Sequence, residues 1–185
     1  MKKYTIIGGV NGAGKSSLSG VLSQYHRDLG IIIDTDKITA KSGGDKIKGG
    51  KEAVGLIKDC LNKDVNFTQE TTLSGKKTLK TAEYARSKGY YIRMFYVGVS
   101  SAEESLLRIE NRVKKGGHNI PADDVKRRYE KRFEDLARIL PYCDEVRFYD
   151  NENGFVYVGE YRNGQIFTVG DYTPDWLNGL KKYYK

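Results

Sequence analysis

The sequence predicts an α/β fold in which a five-stranded parallel sheet is flanked by helices. Three observations carry this. Short β-branched or aromatic runs alternate with amphipathic helical stretches over the first 150 residues. The first run, residues 4–7, leads through a glycine-rich turn straight into a helix. The second, residues 30–33, is apolar throughout, the pattern of a strand covered on both faces.

After the first strand, residues 16–26 read as a helix with Leu18, Val21, Leu22 and Tyr25 on one face. The second strand ends in Asp34-Thr35-Asp36. Residues 39–50 are polar and rich in Gly and Lys, and are expected to be mobile. A helix over 52–62 turns Val54, Ile57, Cys60 and Leu61 inward. Residues 65–68 form the third strand, running into Gln69-Glu70-Thr71-Thr72. A helix over 76–88 stops at Gly89, and 90–97 is the fourth strand. Residues 101–115 are helical, opened by a capping box of Ser101 and Glu104 and broken by Gly116-Gly117. A single helix is predicted over 122–140, between Pro121 and Pro141, and 145–149 is the fifth strand. Residues 155–169 read as a hairpin turning at Asn163-Gly164, and 175–183 as a short closing helix.

The 185 residues are expected to form one domain, with 108–132 as a lid and 151–185 as a C-terminal hairpin and helix. No apolar run approaches membrane-spanning length. The first strand begins almost at the N-terminus, which leaves no room for a secretion signal. Cys60 and Cys143 are far apart and lack metal-ligand spacing, so reduced thiols and a cytoplasmic location are expected. Two histidines, His26 and His118, make a histidine-based zinc site a poor reading. The net charge of +8 asks for acidic partners. Between Arg108 and Arg132 nine basic residues stand against four acidic ones. Aromatic residues do not interleave with these bases as a stacking platform requires, so polyphosphate fits better than nucleic acid.

The motif with the most chemistry is Gly9-Val10-Asn11-Gly12-Ala13-Gly14-Lys15-Ser16. It satisfies the phosphate-loop pattern, with a strand before it and a helix after. Its glycines let consecutive backbone N–H groups point inward, and the helix N-terminus adds partial positive charge. Lys15 is expected to be exposed and to reach the β- and γ-phosphates of ATP, while Ser16 is the candidate Mg²⁺ ligand. In a parallel α/β sheet the functional residues lie beyond the strand C-termini. That picks out the loop, the Asp34/Asp36 pair and Glu70/Thr72.

An acidic pair just behind a phosphate loop suits a small-molecule kinase. The acceptor must lie in line with the γ-phosphate, and a carboxylate must take its proton. An ABC-type ATPase does not fit, although Leu73-Ser74-Gly75 resembles the start of its signature. The only apolar run ending in Asp begins sixteen residues past Lys15, and no later strand ends in Asp-Glu. A GTPase is excluded because no Asn-Lys-x-Asp motif is present.

The chain resembles the zeta toxin family of phosphate-loop kinases, in its short, stand-alone branch. The resemblance covers residues 4–150. It rests on residues 9–17, on Ile31-Ile32-Ile33-Asp34-Thr35-Asp36, on Phe67-Thr68-Gln69-Glu70-Thr71-Thr72, and on 112–121 and 147–151. It implies an ATP- and Mg²⁺-dependent kinase phosphorylating a hydroxyl of UDP-N-acetylglucosamine, restrained by an antitoxin protein. Under it Asp36 is the catalytic base, joined by Lys15 and Arg112. Asn11, Gly12, Ala13, Gly14, Lys15, Ser16, Ser17, Arg112 and His118 hold ATP. Asp34, Asp36, Glu70 and Thr72 hold the sugar-nucleotide. His118 stands where the family has its second phosphate arginine, and Ser74 near where it has a substrate-binding base. The insertion lining the sugar-nucleotide pocket is shortened, so reaction type carries over better than acceptor. A nucleic-acid end kinase and a nucleotide-binding regulatory module are the alternatives.

Overall fold

A computed structural model describes residues 1–184. Its centre is one sheet with strand order β2-β3-β1-β4-β5-β6-β7. The five parallel strands are β1 (Lys3–Gly8), β2 (Ile31–Asp34), β3 (Phe67–Thr71), β4 (Tyr91–Gly98) and β5 (Glu145–Asp150). The expected hairpin, β6 (Val156–Arg162) and β7 (Gln165–Thr168), joins the same sheet antiparallel to β5. The sheet therefore has seven strands, two more than the parallel set. A hairpin can extend a parallel edge because it needs no crossover helix. Asn163 and Gly164 both take positive φ, 51° and 78°, as a tight two-residue turn demands.

Helices α1 (Lys15–Tyr25), α2 (Thr35–Lys41), α3 (Lys46–Asn62), α4 (Lys77–Ser87), α5 (Ala102–Lys114), α6 (Ala122–Glu130), α7 (Arg132–Ile139) and α8 (Asp175–Tyr183) surround the sheet. Alternation along β1 and β4 divides the core. Tyr4, Ile6, Ile92, Met94 and Tyr96 pack with residues of α3, α4, α7 and α8. Ile7, Phe95 and Val97 pack on the other face with Leu18 and Leu22 of α1. Val21 and Tyr25, expected beside them, are exposed.

Four expectations are corrected. Strand β2 is not covered on both faces: it lies at the sheet edge, and Ile31 and Ile32 are 50% and 40% exposed. An edge strand has one neighbour and one open side, which an apolar run alone does not reveal. Residues 39–50 are not an irregular stretch but largely helical. They hold the end of α2 and the start of α3, whose N-cap Asp45 accepts hydrogen bonds from the Ile47 and Lys48 amides at 2.9 and 3.0 Å. Helix 122–140 is two helices plus a 3-10 turn, Leu140–Tyr142. At the break the Arg132 guanidinium lies 3.7 and 4.0 Å from the ring centres of Tyr129 and Phe133 and donates to the Tyr129 carbonyl at 2.6 Å. The Ser101 and Glu104 capping box is half formed. Ser101 Oγ accepts from the Glu104 amide at 3.0 Å, but the Glu104 carboxylate turns to Arg108.

Candidate active site

The C-terminal ends of β1, β2 and β3 open into a cleft of about 580 Å³. Its floor follows from sheet register. Asp34 and Glu70 are direct partners on β2 and β3, and Ile7 of β1 is the next partner of Glu70. The loop leaving β1 delivers Ser16 to the same point. Ser16 Oγ donates to Glu70 Oε2 at 2.7 Å and lies 3.4 Å from Asp34 Oδ2.

Each floor carboxylate has its own environment. Asp34 caps α2, its Oδ1 accepting from the amides of Asp36 and Lys37 at 3.0 and 3.2 Å, while Oδ2 sits 3.5 Å from Lys37 Nζ. Glu70 is buried. Its Oε1 has no hydrogen-bond partner among the described residues. Burial pushes its carboxyl above the usual range and the nearby Asp34 adds to this, against the Ser16 hydrogen bond. Asp36 differs from both: it is exposed, on the first turn of α2, and lines the cleft.

Lys15 is half-buried rather than exposed, because its Nζ folds back onto the Val10 carbonyl at 3.0 Å. Burial lowers its ammonium to about 8, opposed by the charges of Asp36, Glu70 and Asp34. The loop is clamped from far along the chain. Asn151, just past β5, donates from Nδ2 to the Ala13 carbonyl at 2.8 Å, and a side chain at Gly14, where φ is 99°, would collide with it. Asp150 is held in turn by Trp176 of α8, whose Nε1 donates to Oδ1 at 2.7 Å. Ala13 packs into the α1-side core, while Asn11, Gly12, Gly14, Ser16 and Ser17 line the cleft.

The cleft is also lined by arginines, Arg108, Arg112 and Arg128. Arg108 is engaged already, with Glu104 at 2.6 Å and the Asn151 carbonyl. Arg112 donates to the His118 carbonyl at 2.7 Å, and Arg128 to Asn11 Oδ1 at 2.7 Å. The imidazole of His118 lies off the cleft: the residue is exposed and not part of the lining. Thr72 lines the remaining side, its hydroxyl 2.8 Å from that of Ser74. There Ala53, Val54 and Ile57 of α3 face Lys77, Thr78 and Thr81 of α4.

The sequence pointed to the loop, Asp34, Asp36, Glu70, Thr72 and Arg112, and the structure brings all of them to one cleft. The cleft lining also takes in Arg128, which the sequence reading counted only within the basic segment, and Asn151, whose clamp on the loop it did not single out. Helical spacing held a signal for Arg128. It is three residues past Val125, the buried anchor of α6, and so shares its face. Asn151 contacts residues 138 positions away, and no local pattern announces that.

The family model described as Zeta toxin matches residues 53–160, more than half of the chain. The matched segment begins within α3, so the glycine loop and the Asp34–Asp36 turn precede it. An uncharacterized protein of Haemophilus influenzae is 35% identical over 127 residues, covering 65% of this chain and 88% of that one. Among solved structures, one from the PezAT chromosomal toxin-antitoxin system of Streptococcus pneumoniae superposes with a TM-score of 0.68 at 15% identity, over 100% of this chain and 86% of that one. A chain of the AvrRxo1-ORF1:-ORF2 complex with ATP gives 0.68 at 14% identity, over 91% and 60%. The shared fold, the cleft at the strand C-termini and the family match converge: the chain belongs to the zeta toxin family and is a phosphotransferase.

Proposed function

We propose that this protein is an ATP-dependent kinase that phosphorylates a hydroxyl of a UDP-activated amino sugar of the UDP-N-acetylglucosamine type. The observation that supports it most is the division of labour among three carboxylates in one cleft. Asp34 is occupied as a helix cap, Glu70 is buried against Ser16, and Asp36 alone is exposed toward the opening. Asp36 is thereby free to accept a proton from the acceptor hydroxyl as the oxygen attacks the γ-phosphorus, the bond from that phosphorus to the β–γ bridging oxygen breaks and ADP leaves. The loop amides and Lys15 hold the β- and γ-phosphates. Arg112 meets the charge that spreads over the γ-phosphoryl oxygens.

Ser16 Oγ, Asp34 Oδ2 and the unpartnered Glu70 Oε1 form a set of hard oxygen donors beside the loop, and this fits Mg²⁺. When bound, the ion would neutralise and orient the phosphates. The acceptor side has an apolar wall from Val54 and Ile57 and a hydroxyl-rich wall from Thr72, Thr78 and Thr81. An amphipathic ring with several hydroxyls suits that pairing. Residues 1–185 act as one kinase domain, and the arm of α5 and α6 over 108–132 closes as a lid. The protein works in the cytoplasm and is restrained by an antitoxin; the PezAT neighbour is described as part of a toxin-antitoxin system. The described residues contain no helix long and apolar enough to cross a membrane.

The deciding experiment is mass spectrometry of a metabolite pool incubated with the protein, ATP and Mg²⁺. The expected result is a phosphorylated UDP-amino sugar. A pool in which a different hydroxyl compound gains the phosphate replaces the acceptor, and no phosphorylated species at all overturns the kinase reading.

A further inference from the structure

Three guanidinium groups reach the cleft, and their partners distinguish them. Arg108 is neutralised by Glu104 and held by the Asn151 carbonyl, so it braces α5 against the end of β5. Arg112 and Arg128 are hydrogen-bonded only to neutral oxygens among the described residues, a backbone carbonyl and a side-chain amide. A guanidinium with a neutral partner keeps its charge available for an anion.

The other bases of α6 and of the α6–α7 junction are disposed differently. Arg127 pairs with Asp124 across one turn, Lys126 and Lys131 are exposed, and Arg132 is stacked between Tyr129 and Phe133. Only Arg128 lines the cleft. Its direction is set by packing: Val125, one turn earlier on the same face, is fully buried, which turns that face toward the glycine loop. The partner it finds is Asn11, a residue of the loop itself, 117 positions away in the chain.

We propose that Arg128 is a phosphate-binding residue that works with Arg112, exchanging the Asn11 amide for an oxygen of the nucleotide's terminal phosphate. The proposal rests on the kinase reading and deepens it. The Arg128–Asn11 hydrogen bond ties α6 to the loop and holds the guanidinium beside the proposed phosphate site. A phosphate oxygen is a stronger acceptor than an amide oxygen, so the exchange is favourable once nucleotide enters. Because α6 carries Arg128, binding of the terminal phosphate also draws the arm inward.

The test compares dissociation constants for ADP and for the non-hydrolysable ATP analogue adenylyl imidodiphosphate, each with Mg²⁺, by calorimetry on the full chain. Wild type, Arg128→Ala, Arg128→Lys and Arg127→Ala are measured, with melting temperatures as a check on folding. Arg128→Ala is expected to weaken the triphosphate analogue about 10- to 100-fold, the fold-change of a charge-assisted hydrogen bond, and to leave ADP within about twofold. Arg128→Lys, which keeps charge but not the fork, should fall between, and millimolar guanidinium should restore part of the loss in Arg128→Ala. Arg127→Ala should match wild type. Equal losses for ADP and the analogue, or no loss for either, would overturn the proposal while leaving the kinase reading intact. A wild-type protein that binds neither nucleotide overturns the reading itself.

Discussion

The floor and the arm of the cleft are built on opposite plans. The floor is made of strand ends and is joined within itself: Ser16 bridges Asp34 and Glu70, and Glu70 is buried with one oxygen unpaired among the described residues. The arm is made of helices, and its two available guanidiniums rest on neutral oxygens. The floor thus carries an electrostatic cost before any ligand arrives, whereas the arm holds charge in reserve. Preorganised groups next to the reacting atoms lower the reorganisation needed in the transition state. Groups that close over the ligand can wait until it binds.

The largest effect that tests this contrast is at the mouth of the floor. Asp36→Asn is expected to lower phosphoryl transfer by about 10²–10⁴-fold while nucleotide still binds, since the amide cannot take the proton. Asp34→Asn should be milder at saturating Mg²⁺, because asparagine caps a helix as well as aspartate does, but should raise the Mg²⁺ concentration needed, since its Oδ2 is lost. Coupled assays of both variants, with nucleotide titrations alongside, check the assignment; a dead Asp34→Asn beside an active Asp36→Asn would exchange the two roles.

Glu70 gives the next effect, with opposite signs in stability and activity. Its carboxyl is raised above the usual range, so the fold favours the protonated form. The stability this contributes is present below the ordinary carboxylate range and is lost as pH rises through the raised value. At neutral pH the ionised group is therefore a burden. Glu70→Gln should raise the melting temperature of the nucleotide-free protein at neutral pH and flatten its pH profile, yet raise the Mg²⁺ concentration needed for activity. A variant less stable than wild type across the whole pH range would mean that the floor carries no such cost.

Lys15 gives a smaller effect. Its ammonium sits at about 8, well below an ordinary lysine, because burial disfavours the charge. Without ligand, stability should rise as pH climbs from about 8 toward the ordinary lysine value, since the unfolded chain holds the proton longer. Phosphate needs the cation, so nucleotide binding at pH 8 should take up a fraction of a proton, and affinity should fall at higher pH. Calorimetry in two buffers of different ionisation enthalpy measures the uptake directly; none would place Lys15 away from the phosphates.

The smallest effect is the control on the arm. Lys131→Ala removes one charge from the same basic segment but from a residue outside the cleft lining. Its effect on transfer rate and on stability should stay within about 0.5 kcal/mol. An effect as large as that of Arg112→Ala would mean that the arm acts only as a diffuse positive surface.

Much of the fold and floor was legible because it is local. The spacing of Gly9, Gly12, Gly14, Lys15 and Ser16 dictates a turn with inward amides, and alternating apolar runs dictate a parallel sheet. Carboxylates that end strands are then carried to the same edge by topology. Asn163-Gly164 was enough to place a hairpin. Other features depended on partners distant in the chain. The openness of β2 follows from which strand lies beside it, and Ile31 and Ile32 read the same whether buried or exposed. Which of Asp34 and Asp36 is consumed as a cap depends on where α2 begins. The break at Arg132 arises from a guanidinium held between two rings. The direction of Arg128 depends on the burial of Val125, and the clamp on the loop reaches from Asn151 and Trp176 at the far end of the chain. Sequence by itself determined the succession of strands and helices along the chain, the loop and the chemical types at the strand ends, because short-range sterics and periodicity specify them. Only the tertiary structure decided which charges are spent on the fold and which remain for a ligand, because that depends on neighbours brought together by packing.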